Sequence, residues 1–165
     1  MRPRAWGGLA LALWLGAEAR AADPRFTANN ERLFRQLEAV HHLDAAQLRA
    51  VRAIFERSGF IGQGNPAISR HPIDEEQCEA RRQAEPASTA SPDFERICGA
   101  PQMAPLYDPA RETAGDAAAC IDQFEFPDIP CAFPVVWVKA REAALLCEAV
   151  GKRICDAHEW EGACA

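Results

Sequence analysis

Lysine is nearly absent from this chain. Of its 18 basic residues, 16 are arginine and only Lys139 and Lys152 are lysine, against 24 acidic residues and a net charge of -6. A protein that tracks a phosphate backbone needs a basic face, so this balance excludes a nucleic-acid binder. The arginine and alanine excess reads as a GC-rich coding bias of a bacterial gene and carries no function. Long apolar runs are also lacking. The longest, Ala5–Ala17, has 13 residues, where a membrane span needs about 20. There is no C-x-x-C, no Cys/His pair at zinc-finger spacing, no G-x-S-x-G, no P-loop and no dinucleotide fingerprint. Internal repeats are absent as well.

What is present begins at the N-terminus. Arg2 and Arg4 precede the apolar Ala5–Ala17, and Ala19-Arg20-Ala21 offers a small-x-small cleavage site. Those are the three parts of a secretory signal peptide over residues 1–21. Its removal leaves 15 basic and 23 acidic residues, with no membrane span remaining. The expected location is exported, periplasmic or extracellular.

Seven cysteines agree with export: Cys78, Cys98, Cys120, Cys131, Cys147, Cys155 and Cys164. In an oxidising compartment they are disulfide candidates. Cys155 with Cys164 is disfavoured, because nine helical residues span roughly 13 Å and a bridge needs Cα atoms about 4.4–6.8 Å apart. Cys147 with Cys155 across the Gly151 corner, Cys120 with Cys131 between strand ends, and Cys78 with Cys98 remain open. Cys164 is then the odd one.

The apolar periodicity predicts a helix over Thr27–His41, capped by Thr27, with Leu33, Phe34, Leu37 and Val40 on one stripe. A second runs from the cap Asp44 to Ser58-Gly59, with Leu48, Val51, Ile54 and Phe55. His41-His42-Leu43 is the corner of this αα-hairpin. Adjacent histidines diverge on a helix, so His41 and His42 read as a polar corner and not a metal pair. His71 and His158 read as loop and solvent histidines. A third helix starts at Asp74-Glu75-Glu76, where acidic residues suit the helix dipole, and ends near Ala84. Residues 85–92 read as a surface loop, and 93–115 as short and irregular.

From about Ala117 the pattern changes. Cys120–Phe126 alternates like a strand and Val135–Val138 reads as a short buried strand. Lys139–Val150 reads as an amphipathic helix closed by Gly151, and Ala157–Ala163 as a last helix capped by Asp156. Trp160 is expected to anchor that helix against the strands, with Glu159 or Glu161 pairing with Arg153.

Residues 120–165 carry a more specific pattern. Ile121-Asp122-x-Phe124-Glu125 is followed by Pro134-Val135-Val136-x-Val138, Ala143, Cys147, Gly151-Lys152-Arg153-Ile154 and Glu159-Trp160-Glu161. In order and spacing this resembles the opening of the formylglycine-generating-enzyme (sulfatase-modifying factor) domain family. Cys155-Asp156 stands where the family has Pro-Thr, and Asp is an equivalent helix cap. The resemblance implies an α+β fold: an incomplete formylglycine-generating-enzyme or C-type-lectin-like domain over residues 117–165, after a helical, loop-rich region over 22–116. It implies that a full-length form is a metal-dependent oxidase acting on a protein or small thiol, with copper as cofactor. The alternative is a non-catalytic binding or scaffold domain in the cell envelope. Asp122, Glu125, Gly151, Lys152, Arg153, Glu159, Trp160 and Glu161 are read as a folding signature. No catalytic, cofactor or metal residue transfers by motif, and the H-x-x-x-H-x-E helix of related sulfoxide synthases is absent. The family's copper-binding cysteines belong to a later half of the domain, so this chain is expected to be an inactive N-terminal piece.

Overall fold

The computed structural model describes residues 24–58, 60–63, 72–84 and 91–164. The signal peptide, His71 and the 85–90 loop lie outside the described residues. Among the described residues six α-helices, one 3-10 turn (Ala114–Asp116) and four short strands follow in order: α1 (Pro24–His41), α2 (Ala45–Ser58), β1 (Gly62–Gln63), α3 (Glu75–Ala84), α4 (Pro92–Cys98), β2 (Met103–Leu106), the 3-10 turn, β3 (Ala119–Asp122), β4 (Val135–Val136), α5 (Ala140–Ala149) and α6 (Ala157–Cys164). The architecture is mixed helix and antiparallel sheet, α+β in the general sense. Two two-stranded ribbons, β1–β4 and β2–β3, make up the sheet among the described residues.

One side-chain device starts three of the helices. At α2, Asp44 accepts the Ala46 and Gln47 N–H groups at 2.7 and 2.8 Å, and the Asp44 N–H donates to Gln47 Oε1 at 2.9 Å. Asp74 and Gln77 repeat the exchange at α3, as do Asp156 and Glu159 at α6. Each box satisfies backbone donors that a helix start leaves unpartnered, three at α2 and two at α3 and α6. The first helix departs from expectation. It begins at Pro24, so Thr27 lies inside it; proline suits a first turn because its missing N–H has no partner to lose there.

The core is built on the αα-hairpin. Leu33, Phe34 and Leu37 of α1 and Val51, Ile54 and Phe55 of α2 are buried with Leu43 and Ile61. The Phe34 and Phe55 rings meet edge to face, with centroids 5.2 Å apart. Arg52 lies 4.2 Å above the Phe34 ring and donates twice to Glu31, at 2.6 and 3.0 Å. Leu146 of α5 completes this core, with Phe126, Val135, Val138 and Val150 packed at its margin. The helical pair therefore buries its apolar face against the C-terminal residues.

The region expected to be irregular holds α4 and β2. Pro92 opens α4, and Gly99 closes it at φ 70°, donating to the Glu95 carbonyl at 2.8 Å. Strand β2 pairs antiparallel with β3, Met103 opposite Asp122 and Leu106 opposite Ala119. Pro105 is tolerated because in a two-stranded ribbon every strand has an open edge. The expected Cys120–Phe126 strand stops at Asp122. There the chain turns, with the Asp128 N–H donating to the Glu125 carbonyl at 2.8 Å. The expected buried Val135–Val138 strand is also shorter. Only Val135 and Val136 pair, half-buried, and Trp137 leaves the strand at φ 64° with 56% of its surface exposed.

The cysteine pairing differs from all three bridges that the sequence left open. Cys78 joins Cys131, with Cα atoms 5.6 Å apart, and Cys98 joins Cys120 at 5.9 Å. Neither Cys78–Cys98 nor Cys120–Cys131 forms. The cause is the unforeseen ribbon: β2 against β3 brings the end of α4, and hence Cys98, beside Cys120. Cys78 on α3 is left to face the 127–134 turns, where Cys131 sits. Cys147 and Cys155 are free thiols.

Candidate functional site

A cleft of about 1210 Å³ lies among the described residues. It opens between the β2–β3 ribbon on one side and the end of α5, the 152–155 segment and α6 on the other. The corner after α5 is a Schellman turn. Gly151 takes φ 78°, its N–H donates to Glu148 O at 3.0 Å, and the Lys152 N–H donates to Cys147 O at 2.7 Å. This turn aims Lys152 inward, toward the end of β3.

Lys152 Nζ lies 2.5 Å from Asp122 Oδ1 and 3.2 Å from Asp128 Oδ2. The Asp128 side chain is only 1% exposed, and its Oδ1 accepts the Phe124 N–H at 3.2 Å. One ammonium thus faces two carboxylates. Burial, and then the Asp122 charge, push Asp128 up to about 7, against the pull of Lys152. His41 stands at the same place. Its Nε2 lies 2.8 Å from the Pro127 carbonyl, to which the neutral ring donates. Burial, and then Lys152, hold its pKa below the usual histidine value.

The other signature residues are placed as follows. Arg153 pairs with Glu159 through both guanidinium Nη atoms, and this holds Glu159 down to about 2. The pairing expected between Arg153 and one flanking glutamate therefore falls to Glu159. Glu161 is exposed, its Oε2 3.7 Å from His158 Nδ1. Glu125 is exposed at the turn after β3 and also lines the cleft. Trp160 lines the cleft too but is 63% exposed. It stands at the rim, on a helix that meets both β2 and β3.

Both free thiols, Cys147 and Cys155, line this cleft, as does the Cys98–Cys120 bridge. Burial pushes both thiols above the ordinary cysteine value, and the Asp122 carboxylate for Cys147 and Glu159 for Cys155 add to it. The described residues hold no group of three or more His, Cys, Asp or Glu able to take a metal ion.

Sequence reading placed Asp122 and Lys152 in one signature but missed Asp128, which has no motif of its own. It also missed the role of His41 as a donor into the 126–128 turn. The only signal for Asp128 was an acidic residue beside Pro127 in an otherwise apolar stretch.

No protein-family model matches the chain, and neither the curated proteins nor the solved structures contain a match.

Proposed function

We propose that the chain is an exported, disulfide-stapled binding module of the formylglycine-generating-enzyme type, which uses the cleft to hold an apolar segment of a protein partner. The observation that carries this reading is the engagement of the signature residues with one another. Lys152 is spent on Asp122 and Asp128, and Arg153 on Glu159, so the motif's polar groups hold the fold together. The remaining lining is mostly apolar, with Ile97, Met103, Ile121 and Phe124 half-buried and Ile154 and Trp160 exposed at the rim. An exposed tryptophan beside an apolar hollow is a common anchor for a protein partner. Export is supported by the signal-peptide pattern and by the two disulfides. No helix among the described residues is long and apolar enough to cross a membrane.

The test uses the chain from Ala22, which lacks Trp6 and Trp14, with Trp137→Phe so that Trp160 is the sole tryptophan reporter, titrated with the neutral apolar dye N-phenyl-1-naphthylamine and then with peptides rich in leucine and phenylalanine. Energy transfer from Trp160 to the dye, reversed by apolar peptides and not by polar ones, is the expected result. Absence of any response from Trp160 would sink the reading.

A second reading, a metal-dependent oxidase acting on thiols in a full-length form, has one observation in its favour: Cys147 and Cys155 face the same cleft. Oxygen consumption by the copper-loaded protein with thiol peptides would establish it, and its absence would remove it.

A further inference from the structure

Four cysteines border one cleft in two oxidation states. Cys98 and Cys120 are bridged, while Cys147 and Cys155 are thiols. Cys120 and Asp122 are two residues apart on β3, so they point to the same face, about 7 Å apart along the strand. The Asp122 charge acts on both thiols, and the Cys155 thiol acts on Cys147. The bridge, the dithiol and Asp122 thus line one cleft at the end of β3. The third bridge left open by the sequence, Cys147–Cys155, joins residues on either side of the Gly151 corner.

We infer that this cleft is a thiol–disulfide exchange site in which the Cys98–Cys120 bridge and the Cys147/Cys155 dithiol interconvert. Cys155, on the segment that leaves the corner, loses its proton to solvent and its thiolate attacks Cys120 Sγ. The Cys155–Cys120 bond forms, the Cys98–Cys120 bond breaks, and Cys98 leaves as a thiolate that takes up a proton. Cys147, as thiolate, then attacks Cys155 Sγ and releases Cys120. The net change is one disulfide exchanged for another, with two thiols consumed and two produced. No external oxidant or reductant enters, and the chain holds two covalent isomers at one oxidation level.

Burial of both thiols keeps them protonated near neutrality, so the exchange is slow there. It accelerates about tenfold per pH unit while the attacking thiol stays below its pKa. The consequence for the cleft is mechanical. Opening Cys98–Cys120 frees α4 from β3, and closing Cys147–Cys155 ties the end of α5 to the segment before α6. The cleft is thereby widened on one wall and fixed on the other.

The test follows the linkages in the oxidised full chain carrying Cys164→Ser, which removes the seventh thiol. The protein is incubated at pH 6 and pH 9, quenched in acid, alkylated, digested without reduction and mapped by mass spectrometry. The expected result is a Cys147–Cys155 peptide that grows at the expense of Cys98–Cys120, faster at pH 9, while Cys78–Cys131 stays intact. A further Cys147→Ser change, at a half-buried position, removes the resolving thiol and is expected to trap a Cys120–Cys155 link with Cys98 alkylated. Persistence of Cys98–Cys120 with Cys147 and Cys155 both alkylated overturns the proposal. So does loss of Cys78–Cys131 at the same rate, which would mean general scrambling of an unfolded chain.

Discussion

Lys152 reaches back across the Gly151 corner to Asp122, with Nζ 2.5 Å from Oδ1, and so joins the end of α5 to the end of β3. The same ammonium is the counter-charge of the buried Asp128. Removing it leaves two carboxylates facing each other without compensation. Lys152→Met keeps the aliphatic stem and is predicted to cost about 3 kcal/mol at pH 7, the scale for a buried pair stripped of one partner. Urea denaturation read by circular dichroism checks this. A loss below about 1 kcal/mol would show the cluster to be a solvent-screened surface pair.

Asp128 makes the stability of the fold depend on pH, and the sign is set by its raised pKa. In the unfolded chain this carboxyl titrates near 3.8, and in the fold at about 7. Below the unfolded value it is protonated in both states and its contribution is fully present. As pH rises toward 7 the unfolded state ionises first, so stability is lost through that window. His41 acts in the opposite sense. Its lowered pKa contributes stability above the usual histidine value that is lost as pH falls. Comparing the protein with its Asp128→Asn variant isolates the carboxyl. The native protein is expected to lose stability between pH 5 and pH 7 relative to the variant. Parallel profiles for the two would remove Asp128 as the cause.

The Cys78–Cys131 bridge closes a loop with a sequence separation of 53. Chain-entropy arithmetic for a loop of that length gives about 4 kcal/mol of stabilisation through the unfolded state. The double change Cys78→Ser with Cys131→Ser is predicted to lower stability by that order and to leave the α1–α2 core folded at low temperature. Thermal unfolding with and without the bridge measures it. Because Arg32 of α1 also pairs with Glu75 of α3 at 2.5 Å, α3 is expected to stay docked in the variant more often than the bridge alone would allow.

Local chemistry was readable from the residues, and contacts across the chain were not. The Asp44, Asp74 and Asp156 boxes, the Leu33–Phe34–Leu37 and Val51–Ile54–Phe55 stripes and the Gly151 corner all follow from side chains within a few positions of each other. Strand β2 does not, because Met103–Leu106 contains a proline and takes its conformation from Ala119–Asp122. Missing that pair led directly to the wrong partners for Cys98 and Cys120. In the candidate site, Asp122, Lys152, Arg153 and Glu159 stood out through an ordered pattern. Asp128 became visible only when the 123–128 turns brought it beneath Lys152. The chemistry of Cys147 and Cys155 was equally hidden, since nothing in their spacing says that they share a cleft with a disulfide.

Two substitutions separate the part of the molecule that holds the fold from the part that the proposed partner would use. Leu33 is fully buried between α1 and α2, and Leu33→Ala is predicted to cost about 3 kcal/mol through lost burial and the cavity left behind. Trp160 is mostly exposed at the cleft rim, and Trp160→Ala is predicted to change stability by less than about 0.5 kcal/mol. Its effect is expected on binding instead, with affinity for apolar peptides reduced at least tenfold, about 1.4 kcal/mol, as measured by isothermal titration calorimetry. If Trp160→Ala destabilises the fold as much as Leu33→Ala, the tryptophan is a packing residue and the cleft loses its anchor. If it leaves both stability and peptide affinity unchanged, the rim takes no part in recognition. Only unchanged stability with lost affinity agrees with a cleft that is open for a partner.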